Sequence, residues 1–251
     1  MYTRLAPPQL PLFDARPGSS EFAVRKSARA RRLTVRVYPG GRVEITVPAG
    51  VRAEAVQDFV ARHRAWIDAR VAELRTHPLP AHEPLPGRVF LQALDADWQV
   101  RYVARRRAGI RVTGERALEV YGDPAQAPAA RRQLRTWLVR EARSALEPWL
   151  ARLAAESGFG YARVQLRRQR TRWGSCSRSG TISLNVCLLF QPPAVVRYLM
   201  LHELCHTRQM NHSARFWRLV ATHEPDFRML DRELTRGWRH VPGWVYCQEA
   251  P

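Results

Sequence analysis

Residues 193–213 read PAVVRYLMLHELCHTRQMNHS, and this stretch predicts a buried helix that leads into a cluster of histidines. His202 and His206 are four residues apart, so on a helix they lie on the same face. Two imidazoles in that arrangement bind one zinc ion, and a glutamate directly after the first histidine is placed to act as a general base. That glutamate is Glu203. The apolar residues before His202 favour a core helix, in which two histidines and a glutamate have no packing purpose.

A third ligand must come from outside this helical face. His212 lies ten residues after His202, and a continued helix would turn it away from the other histidines. We therefore expect the helix to end first, with Asn211 as a left-handed terminator and Ser213 as the cap of the next helix. The alternative third ligand is Glu224, but the shorter loop to His212 costs less entropy. Three protein ligands leave one coordination position open, which indicates a catalytic Zn²⁺ rather than a structural one.

Several motifs of the C-terminal half resemble those of a known family. They are Arg172–Cys176 (RWGSC), Ile182–Asn185 (ISLN), His202–His206 (HELCH) and Asn211–Ser213 (NHS), followed by Phe216 and Trp217. In these motifs the chain is similar to the YgjP-like metallopeptidases, which are related to the Wss and SprT zinc proteases. The similarity is strongest over about residues 130–237 and looser from Glu21 onward. It implies a zinc-dependent peptidase domain with His202, His206 and His212 as ligands and Glu203 as catalytic base.

The composition is that of a soluble globular protein with an unusual charge. The net charge is +19, and all but Lys26 of the 41 basic residues are arginine. This excess predicts attraction to polyanions, including sequence-independent binding of nucleic acid. No apolar run has the length of a signal peptide core or a membrane span, so we expect a cytoplasmic protein with no membrane partner. Four cysteines without a CxxC pair predict free thiols. The oligomeric state does not follow from the sequence.

The pattern along the chain predicts an α+β fold. Residues 1–20 are rich in proline and predict a flexible tail. Residues 21–127 predict a β-rich N-terminal region with one helix over 52–75 and a proline-rich linker at 76–87. Residues 128–251 predict a zinc metallopeptidase domain. Its order of long helix, β-hairpin and HExxH helix is zincin-like.

Arginines crowd the segment before the RWGSC motif. If the strand predicted over Val164–Trp173 is regular, Arg168, Arg170 and Arg172 share one face. That face is either a solvated strand surface or a cationic wall near the zinc that binds the substrate.

The pattern as a whole predicts a zinc-dependent metallopeptidase that acts on polypeptides. One alternative is a nucleotide pyrophosphatase that uses the same metal site and holds phosphates with these arginines. Such enzymes usually need Mg²⁺ and carboxylate ligands, whereas three histidines suit zinc. The other alternative is a nucleic-acid-binding protein with a structural zinc, which the open coordination position disfavours.

Overall fold

The computed structural model describes residues 22–28, 30–38, 41–75, 84–123 and 126–246. The chain divides into two compact units, Met1–Pro78 and Leu79–Pro251. The described residues form both helices and several small sheets, so the α+β class expected from the sequence is confirmed. The tail expected at residues 1–20 and the linker residues 76–83 lie outside the described residues.

The first unit is a three-stranded sheet with one helix. Its elements are β1 (Phe22–Ser27), β2 (Thr34–Val37), β3 (Val43–Pro48) and α1 (Ala53–Arg75). β2 and β3 form an antiparallel hairpin along which apolar residues alternate, with Val35 opposite Ile45. β1 pairs with β3 in parallel, and this strand was not predicted. Ile45 and Val47 of the sheet are buried against Val56 and Val60 of the helix.

The second unit begins with a four-stranded sheet. Its strands are β4 (Arg88–Leu91), β5 (Ala96–Ala104), β6 (Gly109–Val112) and β7 (Ala117–Gly122), in the order β4-β5-β7-β6. The long helix α2 (Ala127–Glu156) follows. Trp98 of β5 meets Trp137 of α2 edge to face, with ring centroids 5.2 Å apart. The other face of the sheet carries polar side chains, since Gln99 and Arg101 alternate with the buried residues of β5.

This sheet and the region that carries the three histidines share one hydrophobic core, within the compact unit that begins at Leu79. The domain boundary at residues 127/128 stays a prediction from the sequence. Leu118 and Val120 of β7 lie in one hydrophobic core with Leu134 and Leu138 of α2. Separating the sheet from the helix would expose their apolar surface to water, at a free-energy cost of about 25 cal/mol per Å². Periodicity identifies each of these elements but does not show which of them pack together.

A small second sheet and three helices complete this unit. The strands are β8 (Arg163–Arg167), β9 (Gly174–Cys176) and β10 (Thr181–Asn185), and the helices are α3 (Pro193–Cys205), α4 (Ala214–His223) and α5 (Phe227–Arg236). The strand order is β8-β10-β9, so β9 is an edge strand that pairs antiparallel with β10. α3 is buried along most of its length. Across the described ranges, none of the helices combines the length and apolarity of a membrane span.

Candidate metal centre

Three histidine side chains converge at the C-terminal end of α3. The nitrogen atoms that His202, His206 and His212 offer all lie within 4.8 Å of one another, and among the described residues they form the one group suited to holding a metal ion. The Nε2 atoms of His202 and His212 are 3.1 Å apart. Neutral imidazole nitrogens are preferred zinc ligands, and their separation here is small enough for one ion to contact all three.

The chain reverses after α3, and this reversal returns His212 to the helix. α3 ends at Cys205, and the backbone N–H of Gln209 then donates to the Cys205 carbonyl at 2.9 Å. Ser213 occupies the N-cap position of α4, but its side chain makes no capping hydrogen bond. A break before His212 was expected because a continuous helix would have turned this residue away from the other two histidines.

Hydrogen bonding and packing fix the histidine rings. His206 Nδ1–H donates to the backbone carbonyl of Gln209 at 2.9 Å, which leaves its Nε2 as the free ligand atom. Phe216 of α4, fully buried, stacks on His206 with ring centroids 4.4 Å apart. Trp217 stacks on His212 at 5.5 Å. Phe216 also meets His202 edge to face at 4.9 Å, so the aromatic residues of α4 pack against all three histidine rings.

The environment of His202 keeps its imidazole neutral. Burial, followed by the proximity of His206 and His212, lowers the pKa of His202 to about 3. Burial also lowers the pKa of His206. A neutral imidazole retains the lone pair that a metal ligand needs, so the site is ready to bind a cation at neutral pH.

The carboxylate of Glu203 lies beside this cluster in a closely fitted space. Glu203 is 4% exposed, and its Oε2 atom has no hydrogen-bond partner in the described structure. Burial raises the pKa of Glu203 to about 8, an effect that the Arg172 guanidinium opposes. On the other side is Gly174 of β9, where an added Cβ would lie 2.6 Å from Glu203 Oε1. Any larger residue at 174 would therefore occupy the position of the carboxylate.

The family of the chain follows from a match that extends over most of its length. The model of the YgjP-like family, a metallopeptidase domain, matches residues 31–237. The chain belongs to the YgjP-like family. This confirms the resemblance seen in the RWGSC and HELCH motifs. A crystal structure of the metallopeptidase zymogen abylysin of Pyrococcus abyssi is 27% identical over 36% of this chain and 92% of that chain, with a TM-score of 0.33. No curated protein matches the chain significantly.

In this YgjP-like chain, two of the three predicted substrate-binding arginines have structural partners. The strand predicted over residues 164–173 ends at Arg167, so residues 168–172 form a loop without period-two alternation. Arg168 donates to the carbonyl of Val245 at 3.2 Å, and Arg170 donates to that of Tyr246 at 3.0 Å. These contacts, here called the C-terminal clasp, hold the end of the described chain against the 168–172 loop.

Arg172 differs from the other two arginines. It is exposed, its guanidinium makes no hydrogen bond or ion pair with another described residue, and its charge acts on Glu203. Its backbone is held by Asn185, whose Nδ2 donates to the carbonyls of Gln169 and Arg172, each at 2.7 Å. The loop is thus fixed through its backbone while the Arg172 guanidinium stays available beside the site.

Glu224, the rival third ligand, is engaged elsewhere. It forms an ion pair with Arg197 of α3, and its side chain is 14% exposed. It is not part of the group of candidate ligands. The geometry therefore favours His212 over Glu224.

Two features of this site could not be read from the sequence. Gly174 was visible in the RWGSC motif, but its close approach to Glu203 is a tertiary contact. Tyr198 of α3 donates to Asp231 of α5 at 2.8 Å and so links the metal-site helix to a helix that was not predicted. Only the spacing of Tyr198, four residues before His202 and on the same helical face, pointed toward this position.

Proposed function

We propose that this chain is a zinc-dependent metallopeptidase that cleaves polypeptides, with His202, His206 and His212 as zinc ligands and Glu203 as general base. The observation that carries this proposal is the convergence of three imidazoles beside a buried carboxylate whose Oε2 has no partner. The donor set fits zinc, since three neutral nitrogens leave one position of a tetrahedral ion open. Mg²⁺ and Ca²⁺ would call for oxygen ligands instead.

A bound zinc ion supplies Lewis-acid chemistry, polarising a carbonyl and lowering the pKa of water to about 7. Glu203 contributes the proton transfers. Its Oε2 accepts the proton of the attacking water and then delivers that proton to the leaving nitrogen. A cation held by the histidines favours the charged form of this carboxylate, as the Arg172 guanidinium already does. Both charges counter the effect of burial, so that Glu203 is available as a base.

The polypeptide substrate is expected to bind along β9. This strand is the edge of its sheet, and Gly174 lies directly against Glu203. An extended peptide that pairs with an edge strand gains main-chain hydrogen bonds without depending on sequence. Arg172, exposed beside the same strand, is positioned to bind a substrate carbonyl or carboxylate.

The pyrophosphatase alternative loses support from the arginines. Arg168 and Arg170, which it needs for holding phosphates, donate instead to the carbonyls of Val245 and Tyr246. A purely structural zinc is also disfavoured, because such sites are closed by four protein ligands.

The test combines metal analysis with casein cleavage on the full chain. We expect about one zinc per chain in the wild type and in Glu203→Gln, with kcat/KM of the variant lowered by about 10²–10⁴-fold. His212→Ala should lose most of its zinc, whereas Glu224→Gln, a matched change of another shielded acid, should keep it. Near-normal turnover of casein by Glu203→Gln would show that Glu203 is not the general base. If His212→Ala kept all its zinc and Glu224→Gln lost it, the third ligand would be Glu224 and not His212.

A further inference from the structure

We propose that the end of the four-stranded sheet in the second unit is a nucleic-acid-binding surface, formed by Arg105, Arg106 and Arg107 together with Tyr121. The three arginines, here called the arginine loop, connect β5 to β6. Tyr121 lies on β7, on the outward face of the sheet. This surface is separate from the metal centre and goes beyond the proposed peptidase activity.

The charge of the arginine loop is not neutralised within the described structure. Two other arginines of the same sheet have acidic partners: Arg88 pairs with Asp97, and Arg111 pairs with Glu119 at 2.9 Å. The arginine loop forms no ion pair with any described residue, and all three of its side chains are exposed. Three adjacent uncompensated guanidinium groups produce a strong local positive potential, which attracts phosphate groups.

The first residue of the arginine loop is held against β7. The backbone N–H of Arg105 donates to the carbonyl of Gly122 at 3.2 Å, and its guanidinium lies 4.3 Å from the centroid of the Tyr121 ring. The Tyr121 hydroxyl donates to Glu119 at 3.1 Å. The ring lies against Gly109, where an added Cβ would be 3.4 Å from its Cδ2 atom. Because the stacked pair is already ordered, binding a ligand there costs little further conformational entropy.

The shape of this surface suits a nucleotide chain. The arginine loop, Ala108 and Tyr121 line an open depression of about 850 Å³. The Arg105 guanidinium, which lies over the Tyr121 ring, offers its outer plane to a base, and the N–H groups of all three loop arginines are available to phosphates. A membrane-binding loop would carry apolar side chains for insertion beside its cations, but the depression offers only Ala108 and the rim of Tyr121. The chemistry therefore favours single-stranded nucleic acid over a lipid surface.

The test measures binding of a fluorescein-labelled single-stranded DNA of mixed sequence to the full chain over a series of salt concentrations. Each phosphate contact contributes ~0.7 to the slope of log K against log salt for single strands. Replacing Arg105, Arg106 and Arg107 by alanine should therefore lower the slope by ~2. If the two proteins bind equally at about 1 M salt, the variant should then bind about a hundredfold more weakly than the wild type at about 0.1 M salt. Casein cleavage should not change.

The matched control removes the same charge from exposed arginines of α4 and α5. The triple variant Arg218→Ala, Arg228→Ala and Arg232→Ala has the same net charge as the loop variant, and it should keep the wild-type slope. If the slope fell equally in both variants, net charge alone would explain the binding, and the proposal would be overturned. Absence of wild-type binding at low salt would also overturn it. Loop-dependent binding to phosphatidylglycerol vesicles, without binding to DNA, would identify a lipid surface and refute the nucleic-acid assignment.

Discussion

Replacing Gly174 by alanine adds a single methyl group against the candidate catalytic carboxylate. The added Cβ would lie 2.6 Å from Oε1, 2.9 Å from Cγ and 3.0 Å from Cδ of Glu203. Ordinary contact begins at 3.4 Å, so the carboxylate must move by about 0.8 Å. Glu203 is 4% exposed and has little free space for that movement. Gly174 does not have a positive φ, so alanine is compatible with the backbone and the effect comes from the contact alone.

We expect Gly174→Ala to lose activity but retain the metal. Displacing a catalytic group by about 1 Å costs about 10²-fold in rate, so kcat/KM for casein should fall by about that factor. Overpacking should cost about 1–3 kcal/mol of unfolding free energy, which urea denaturation measures. The three atoms nearest to the added Cβ all belong to Glu203, and none belongs to a histidine. The stoichiometry and the absorption spectrum of bound Co²⁺ should therefore stay as in the wild type.

Gly160→Ala is the matched control. An added Cβ at Gly160 meets no atom within 4 Å, so this variant should keep both activity and stability. Wild-type kcat/KM in Gly174→Ala would refute the reasoning, because it would mean that Glu203 moves freely or does not act as the base. Loss of Co²⁺ binding together with activity would instead show that the substitution distorts α3.

Two further predictions concern the buried polar and thiol groups of the second unit. Asn185 is fully buried; its Nδ2 donates to two carbonyls of the 168–172 loop, and its Oδ1 accepts from the N–H of Cys187 at 3.1 Å. Asn185→Ala should therefore lower the unfolding free energy by about 3 kcal/mol in urea denaturation, and a loss well under 1 kcal/mol would contradict this accounting. In a Cys247→Ser background, Cys187 and Cys205 should resist Ellman's reagent until the chain is denatured, since both are buried and burial raises the pKa of each to about 12. Cys176 is half-buried, and burial raises its pKa to about 11. Its thiol should therefore react slowly with Ellman's reagent at pH 8, and the rate should rise about tenfold per pH unit up to the pKa. Rapid reaction at pH 8 would contradict the half-buried environment of this thiol.

The local pattern of the sequence predicted the elements that carry the metal centre. An apolar run followed by His202, Glu203 and His206 predicted a buried helix with the two histidines on one face, because helical geometry brings residues four apart together. The requirement that His212 return to the same face predicted the break after α3. These inferences succeed because the interactions involved lie within about one helical turn or one short loop of each other.

Longer-range relations were not visible in the same way. Alternation over residues 164–173 predicted a continuous strand, but the strand ends at Arg167, opposite the last residue of its partner β10. Arg168 and Arg170 bond carbonyls 77 and 76 residues away instead. The position of Gly174 against Glu203 likewise depends on how β9 packs on α3. A sequence pattern reports the preferences of neighbouring residues, whereas these contacts depend on which distant surfaces meet.

The C-terminal clasp sets the order in which parts of the candidate site gain their support. Val245 and Tyr246 support the loop that carries Arg172, yet they are made long after the HELCH helix. A chain whose synthesis has reached His212 but not Tyr246 has every proposed ligand and no clasp. Because folding during synthesis proceeds from the N-terminus, the support for this loop is added late. The loop that carries Arg172 is therefore the last part of the candidate site to gain its backbone support during synthesis.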